Sequence, residues 1–458
     1  MIRFLRQLMS AIWSRVKRGG GARNNGGTLD LGFRVVDGDV TRRHVTLTNT
    51  RRAMHLAVLG KTGSGKSSLL RYLCAQDIAA DRGFLFFDLH GDATPLLLRT
   101  INARERQARR HLSDKLILIE PADPFVSVGL NPLEQSSPPD FVRIAEFAEL
   151  LKERWALERF GARTDELLRN TLYTLAANGL TLMELGPFLI NRAFRIACLK
   201  QVENPEIRSY FETRYDPLSD PMQAVMREPI LNKVSAFTAD PRFRHIVGQV
   251  KWTFSMREAL DEGYWIIVDL DKGRLGDQAL TFGGLLLTVL KNALFSRKRR
   301  TIFTVYCDEI QNFVALHGGI ETMLSEARKF GVALVTANQF LDQYPREMRA
   351  AILAVGTHAF FQLSSADAGQ VAHALDDGRR LTELLKNLPP RHFIVKSGME
   401  RWREVKVPHV FAPDVDPTDL LNRSRYRFGR PRIVIEREIE ERRRKAERMP
   451  DEILHDWE

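Results

Sequence analysis

The sequence predicts an α/β fold built on a mostly parallel sheet, with an all-α region inserted into it. Three observations carry this expectation. Short apolar runs rich in Val, Ile and Phe alternate with stretches of helical periodicity. These runs stop near residue 138, and the residues from there to 250 read as helix only. A glycine-rich loop stands between an apolar run and a helix, where an open α/β sheet takes its ligand.

The elements follow in order. Residues 1–18 place Phe4, Leu8 and Trp13 on one helical stripe beside Arg3, Arg6, Arg15, Lys17 and Arg18. A basic amphipathic helix of this kind can lie on an anionic membrane, dock on a partner or serve in targeting. A Gly/Arg/Asn-rich linker ends at residue 27. Residues 31–48 read as a hairpin around Asp37-Gly38-Asp39. Buried strands are expected at 55–59, 83–88 and 115–120. Helical windows follow at 141–155, 164–177, 182–192 and 221–236. Strands resume at 264–270, 301–307, 332–337, 358–363 and 391–396, with a core helix at 282–294. The mixed charges of 436–449 read as a solvated helix held by i,i+4 pairs. The expected domains are therefore 1–27, a first core segment 28–137, a helical insertion 138–250, a second core segment 251–416 and a charged tail 417–458.

Composition narrows the function classes. With 44% hydrophobic and 27% charged residues the 458-residue chain is an ordinary globular protein. Its three cysteines, Cys74, Cys198 and Cys307, are far apart and argue against a disulfide framework. No apolar run approaches the roughly 20 residues of a membrane span. The net charge of +11 suits a polyanionic partner, nucleic acid or an acidic membrane surface, although it also serves solubility.

Gly60-Lys61-Thr62-Gly63-Ser64-Gly65-Lys66-Ser67, followed by Ser68, fits G-x-x-x-x-G-K-[ST]. The glycines let successive N–H groups turn inward onto phosphate, and the helix N-terminus adds its partial positive charge. Lys66 can reach the β- and γ-phosphates of ATP, and Ser67 can ligate Mg²⁺. A second acidic site must follow. Asp308-Glu309 ends an apolar run, so Asp308 can hold Mg²⁺ while Glu309 orients or deprotonates the attacking water. Gln339 ends the next run and can hydrogen-bond the γ-phosphate or its water. Asp88, His90 and Asp92 could form a metal triad, but a hydrogen-bonded turn beside the nucleotide is the preferred reading.

With Phe87-Asp88-Leu89-His90-Gly91-Asp92, Asp308-Glu309-Ile310-Gln311-Asn312-Phe313, Glu326-Ala327-Arg328-Lys329-Phe330-Gly331 and Thr336-Ala337-Asn338-Gln339, the chain resembles FtsK/HerA-superfamily ATPases. Within that superfamily it is most similar to conjugative type IV coupling proteins. The resemblance spans roughly residues 33–397. It implies a RecA-like P-loop NTPase core, a homohexameric ring with DNA in its pore, and Arg328 as an arginine finger given to the neighbouring subunit. Two departures stand out: the membrane helices usual in coupling proteins and the β-barrel usual in HerA proteins are both expected to be missing.

The expected function is an ATP-driven DNA translocase of a conjugative or type IV secretion-like system. It would be cytoplasmic or at the inner face of the membrane, with relaxase or channel proteins as partners. Two alternatives stay open: a HerA-like pump paired with a nuclease in end processing or phage defence, and a protein-assembly switch without DNA. Arg274, Arg346 and Arg349 are candidate pore residues.

Overall fold

The computed structural model describes residues 27–109, 111–134, 141–312, 320–344, 346–375 and 377–448. The basic stripe of residues 1–18 and Phe313 lie outside the described residues. The strands are β1 (Leu29–Val36), β2 (Asp39–Leu47), β3 (Leu56–Leu59), β4 (Phe84–Asp88), β5 (Leu116–Ile119), β6 (Val126–Ser127), β7 (Trp265–Asp269), β8 (Phe303–Asp308), β9 (Val332–Asn338), β10 (Thr357–Phe360), β11 (His392–Ser397), β12 (Arg403–Lys406) and β13 (Arg430–Pro431).

Eleven strands form one sheet in the order β2-β1-β12-β11-β10-β3-β9-β8-β4-β7-β5. From β10 to β5 every pairing is parallel. From β10 back to β2 every pairing is antiparallel. The hairpin forms where Asp37-Gly38 signals it, with φ of 51° and 86° at those two residues. That pair of positive φ values is what a tight two-residue hairpin turn needs. Strand β12 was not expected, because Arg-Glu-Val-Lys offers one apolar residue. Val405 alone is fully buried there, and pairing with β1 and β11 does the rest.

The parallel strands are buried on both faces, and their alternation sorts residues into two cores. On β4, Leu85 and Phe87 join one core while Phe84 and Phe86 join the other. The second core holds the helices Lys66–Ala79 and Thr94–Ala108 through Leu69, Leu73, Leu97 and Ile101. The first core holds the helix Gln278–Phe295. That helix is apolar and long enough to cross a membrane by composition alone, yet Phe282, Leu286, Leu290 and Leu294 are buried against the sheet.

Between β6 and β7 the structure is helical. Its principal helices are Phe141–Arg154, Ala162–Ala177, Arg192–Leu199, Asp220–Thr238 and Pro241–Val247. A π-turn at Tyr210–Tyr215 buries three aromatic side chains. The buried residues of this region, such as Phe147, Leu168 and Phe237, are continuous with the first core of the sheet. The helices thus pack onto one face of the sheet.

The charged tail differs from expectation. The helix Thr418–Phe428 lies on the sheet's β5 edge, where Ser424 Oγ donates to Leu116 O at 2.7 Å. The helix Arg432–Glu447 carries the expected i,i+4 pairs, Arg443–Glu447 at 2.6 Å and Arg444–Glu440 at 3.4 Å. Its other face is docked, not solvated. Ile435, Ile439 and Ala446 are buried, Glu436 meets Arg244 at 2.8 Å, and Arg442 meets buried Glu184 at 2.9 Å. Three apolar positions within a long charge run, together with these two ion pairs, seat it on the helical region.

Candidate nucleotide site

The site lies at the carboxyl edge of the parallel strands. Strand β3 ends at Leu59, and the loop that follows is tied to both neighbours of β3. Gly60 N donates to Asn338 O at 3.1 Å and Lys61 N to Gln362 O at 2.8 Å. Ser64 Oγ closes the loop on Lys61 O at 2.7 Å. Gly63 and Gly65 sit at φ of 77° and 115°, which side-chain-bearing residues rarely adopt. At Gly65 space forbids a Cβ as well, since it would come 2.8 Å from Arg391 Cα. The helix Lys66–Ala79 then starts with no side-chain cap on its first N–H groups, leaving them open to an anion. Thr62 is exposed and Ser68 half-buried at the mouth of this cradle.

Lys66 is buried, with its ammonium on two loop carbonyls, Gly60 O at 2.7 Å and Lys61 O at 3.1 Å. Burial lowers its pKa, against the pull of Asp308 and Glu309. Ser67 Oγ donates to Asp308 Oδ2 at 2.7 Å, joining helix and β8. Asp308 is 8% exposed. Burial raises its pKa although Ser67 and Lys66 pull the other way. A buried carboxylate beside a hydroxyl, with no cation in direct contact among the described residues, is a donor set that fits Mg²⁺. Among the described residues no group of three His, Cys, Asp or Glu could form a metal cage. That disfavours the Asp88/His90/Asp92 triad. Asp88 instead accepts from Gly91 N at 3.0 Å, Ala93 N at 3.0 Å and Thr94 N at 2.7 Å, making the hydrogen-bonded turn that starts the next helix. Asp92 pairs with Arg71 at 2.9 Å.

Glu309 follows β8 in a left-handed conformation, φ 53°. Gln339 Nε2 donates to its Oε1 at 2.7 Å, so the structure brings these two expected residues together. Two contacts were not foreseen. Asn312 Nδ2 donates to Glu309 Oε2 at 3.0 Å, and His90 Nε2 stands 3.9 Å from the same oxygen. Asn312 follows Glu309 by three residues in a short turn, Ile310–Asn312, and a polar side chain at that spacing was the signal available.

Arg328 lies elsewhere. It is exposed, in the turn Ala327–Phe330 before β9, whereas Gln339 follows β9. The seven residues of β9 separate the two edges by roughly 20 Å at ~3.3 Å per residue. Arg328 therefore sits away from the phosphate loop of its own chain. Among the described residues it has no ion pair, and Glu326 pairs with Lys329 at 3.8 Å instead. Arg274 and Arg349 already meet acids, Glu120 at 3.6 Å and Asp342 at 2.9 Å. The Arg346 side chain is outside the described residues.

Comparison with known proteins bears on the fold. Residues 41–240 match the family described as helicase HerA, central domain. No curated protein matches the sequence. Among solved structures, the plasmid coupling protein TrwB with ADP and Mg²⁺ superposes with a TM-score of 0.60 at 19% identity, over 87% of this chain and 98% of that one. TrwB with a non-hydrolysable ATP analogue gives 0.57 at 18% identity, over 87% and 98%. VirB4 of Thermoanaerobacter pseudethanolicus gives 0.54 at 16% identity, over 85% and 98%. The fold is thus the RecA-like P-loop ATPase fold, and the chain's likeness is to the FtsK/HerA superfamily, with the conjugative coupling protein TrwB and VirB4 as structural relatives.

Proposed function

We propose that the chain is a motor ATPase that hydrolyses ATP to move DNA in a conjugative or type IV secretion-like system. The observation that carries the ATPase reading is the convergence of Lys66, Ser67, Asp308, Glu309 and Gln339 at one sheet edge. The match of residues 41–240 to the helicase HerA central domain, and the net charge of +11, support DNA as the polyanion moved.

In this reading residues 60–68 cradle the triphosphate with backbone N–H groups. Lys66 leaves its carbonyls for the β- and γ-phosphates. Ser67 and Asp308 hold Mg²⁺, which when bound supplies charge to offset that of the phosphates. Glu309 accepts the proton of the attacking water, and Gln339 orients its carboxylate and responds to the γ-phosphate. Arg328 acts in trans. In a head-to-tail ring each subunit offers different surfaces to its two neighbours, so an arginine far from its own loop can complete the next. A homohexamer, relaxase or channel partners, membrane contact through 1–18 and the domain limits given above belong to the same proposal.

The test is turnover measured with and without single- and double-stranded DNA. DNA-stimulated hydrolysis is expected. Hydrolysis indifferent to DNA would favour a protein-assembly switch. The HerA family match over 41–240 favours a second reading, a pump paired with a nuclease. Co-purification of a nuclease in place of a relaxase would select it.

A further inference from the structure

We propose that Asn312 is a positioning residue for Glu309, and that Arg154 of the helical region sets Asn312 in place. The inference rests on the reading of Glu309 as the base that handles the attacking water.

Three links form the chain. First, both carboxylate oxygens of Glu309 are fixed by amides from different structures. Gln339 Nε2, at the end of β9, holds Oε1 at 2.7 Å, and Asn312 Nδ2 holds Oε2 at 3.0 Å. An amide can only donate to an ionised carboxylate through its NH₂, so each bond also fixes the amide's orientation. Second, the backbone carries this arrangement. Glu309 N donates to Ala337 O at 2.9 Å, Asn312 N to Glu309 O at 3.0 Å, and Glu309 takes φ 53°. Such a conformation in a non-glycine residue persists only where its surroundings hold it. Third, the turn is held from outside the sheet. Arg154 Nη2 donates to Asn312 O at 2.7 Å across 158 residues of sequence. Arg154 ends the helix Phe141–Arg154, and burial lowers its pKa. Among the described residues, Asn312 O is the acceptor that this part-buried guanidinium reaches.

The consequence is coupling. Gln339 belongs to the sheet, whereas Asn312 is tied to the helices. A shift of the helical region against the sheet moves Asn312 relative to Gln339 and turns the Glu309 carboxylate between them. Whatever binds the helical region can then alter turnover without touching nucleotide.

The experiment uses the full chain and steady-state ATP hydrolysis, with kcat and KM separated. Asn312→Ala is expected to lower kcat up to about 100-fold, the scale of a misplaced catalytic group, with KM for ATP little changed. Arg154→Ala is expected to lower kcat about 10-fold, the scale of one lost hydrogen bond, and Arg154→Lys to restore most of it. The double variant is expected to be no slower than Asn312→Ala alone, because both act through one carboxylate. Multiplying effects, or parent kcat in Asn312→Ala, would overturn the relay. A merely destabilised fold would instead lower the thermal midpoint and would not respect the kcat-against-KM split. Parent and Glu309→Gln controls separate the two levels. If the parent does not hydrolyse ATP, or Glu309→Gln does so at the parent rate, the reading of Glu309 fails and the relay with it. If those controls behave and Asn312→Ala does not, the relay alone fails.

Discussion

Two buried carboxylates stand on the same pair of elements and have opposite electrostatics. Asp77 and Ser67 lie near opposite ends of the helix Lys66–Ala79, and Tyr306 and Asp308 lie two residues apart on β8. In the body of the sheet, Asp77 is fully buried and saturated. It accepts from Arg52 Nη2 at 2.5 Å, Arg82 Nε at 2.7 Å and Tyr306 Oη at 2.7 Å. Burial alone would raise its pKa, but Arg52 and Arg82 outweigh it and the pKa falls. At the carboxyl edge, Asp308 has the Ser67 hydroxyl and a more distant Lys66, burial wins, and its pKa rises. One acid is finished by its own chain. The other has a hydroxyl donor and no ion pair among the described residues, an arrangement suited to a site for a cation and a polyphosphate. Burial by itself does not distinguish a structural acid from a functional one, whereas the partners do.

The largest effects are expected at the edge and in turnover. On the proposed function, Lys66→Ala removes the charge that would face the phosphates and should abolish hydrolysis. On the same reading, Glu309→Gln should retain nucleotide binding and stop turnover, because Ser67 and Asp308 remain while the proposed base is lost. Fluorescent-nucleotide binding beside a phosphate-release assay checks both. Parent turnover in Glu309→Gln would break the claim that this edge is the reacting one.

Arg328 extends the comparison to the opposite edge of the sheet. It is a cation without an acid among the described residues, as Asp308 is an acid without a cation in contact. If a neighbouring subunit joins two such half-sites, Arg328→Ala should lose about 10³-fold in turnover, the scale of an arginine finger. Lys66→Ala subunits keep the finger, and Arg328→Ala subunits keep the loop. Mixed rings should therefore recover part of the activity. No recovery in rings shown to be mixed would mean that Arg328 does not act in trans.

How much of this was legible depends on range. The phosphate loop, Asp308-Glu309 and Gln339 could be read because each is a short local pattern at the end of an apolar run. The parallel strands could be read for the same reason. Asp77 could not. Its partners come from residues 52, 82 and 306, and no spacing in the sequence announces that they meet. Asn312 lay inside a motif but had no role until the turn folded it back on Glu309. The docked face of Arg432–Glu447 stayed hidden because Ile435, Ile439 and Ala446 are outnumbered by charges. Long-range polar pairing, unlike hydrophobic periodicity, leaves no trace in a single sequence.

Smaller in scale, and in stability instead of turnover, is the cost of unmaking the finished acid. Asp77→Ala leaves Arg52 buried at 3% exposure without its counter-charge, with Arg82 deprived of its acid and the Tyr306 hydroxyl of its acceptor. The expected loss is about 3–5 kcal/mol, measured as a lowered denaturation midpoint. The sign with pH follows. The folded pKa of Asp77 lies below its ordinary value of 3.8, so its contribution is present above that value and lost as pH falls through the folded pKa. Acid sensitivity below about pH 4 should therefore be smaller in Asp77→Asn than in the parent.

The smallest effect has the opposite sign, and it tests the comparison most directly. The folded pKa of Asp308 lies above 3.8, so ionising it inside the fold costs stability once pH exceeds that value. Asp308→Asn keeps the shape and the acceptor for the Ser67 hydroxyl while removing the charge. In nucleotide-free protein at neutral pH the midpoint should rise, by on the order of 1 kcal/mol, as when a strained functional site is neutralised. With ATP and Mg²⁺ the ranking should invert. The parent gains the free energy of binding, and Asp308→Asn, lacking the carboxylate, gains less. A parallel pair of melts on Asp77→Asn should show a lower midpoint in both conditions, with nucleotide adding as much as it does to the parent. If Asp308→Asn instead destabilises the nucleotide-free protein as Asp77→Asn does, then Asp308 is a second structural acid and the distinction between the two sites collapses.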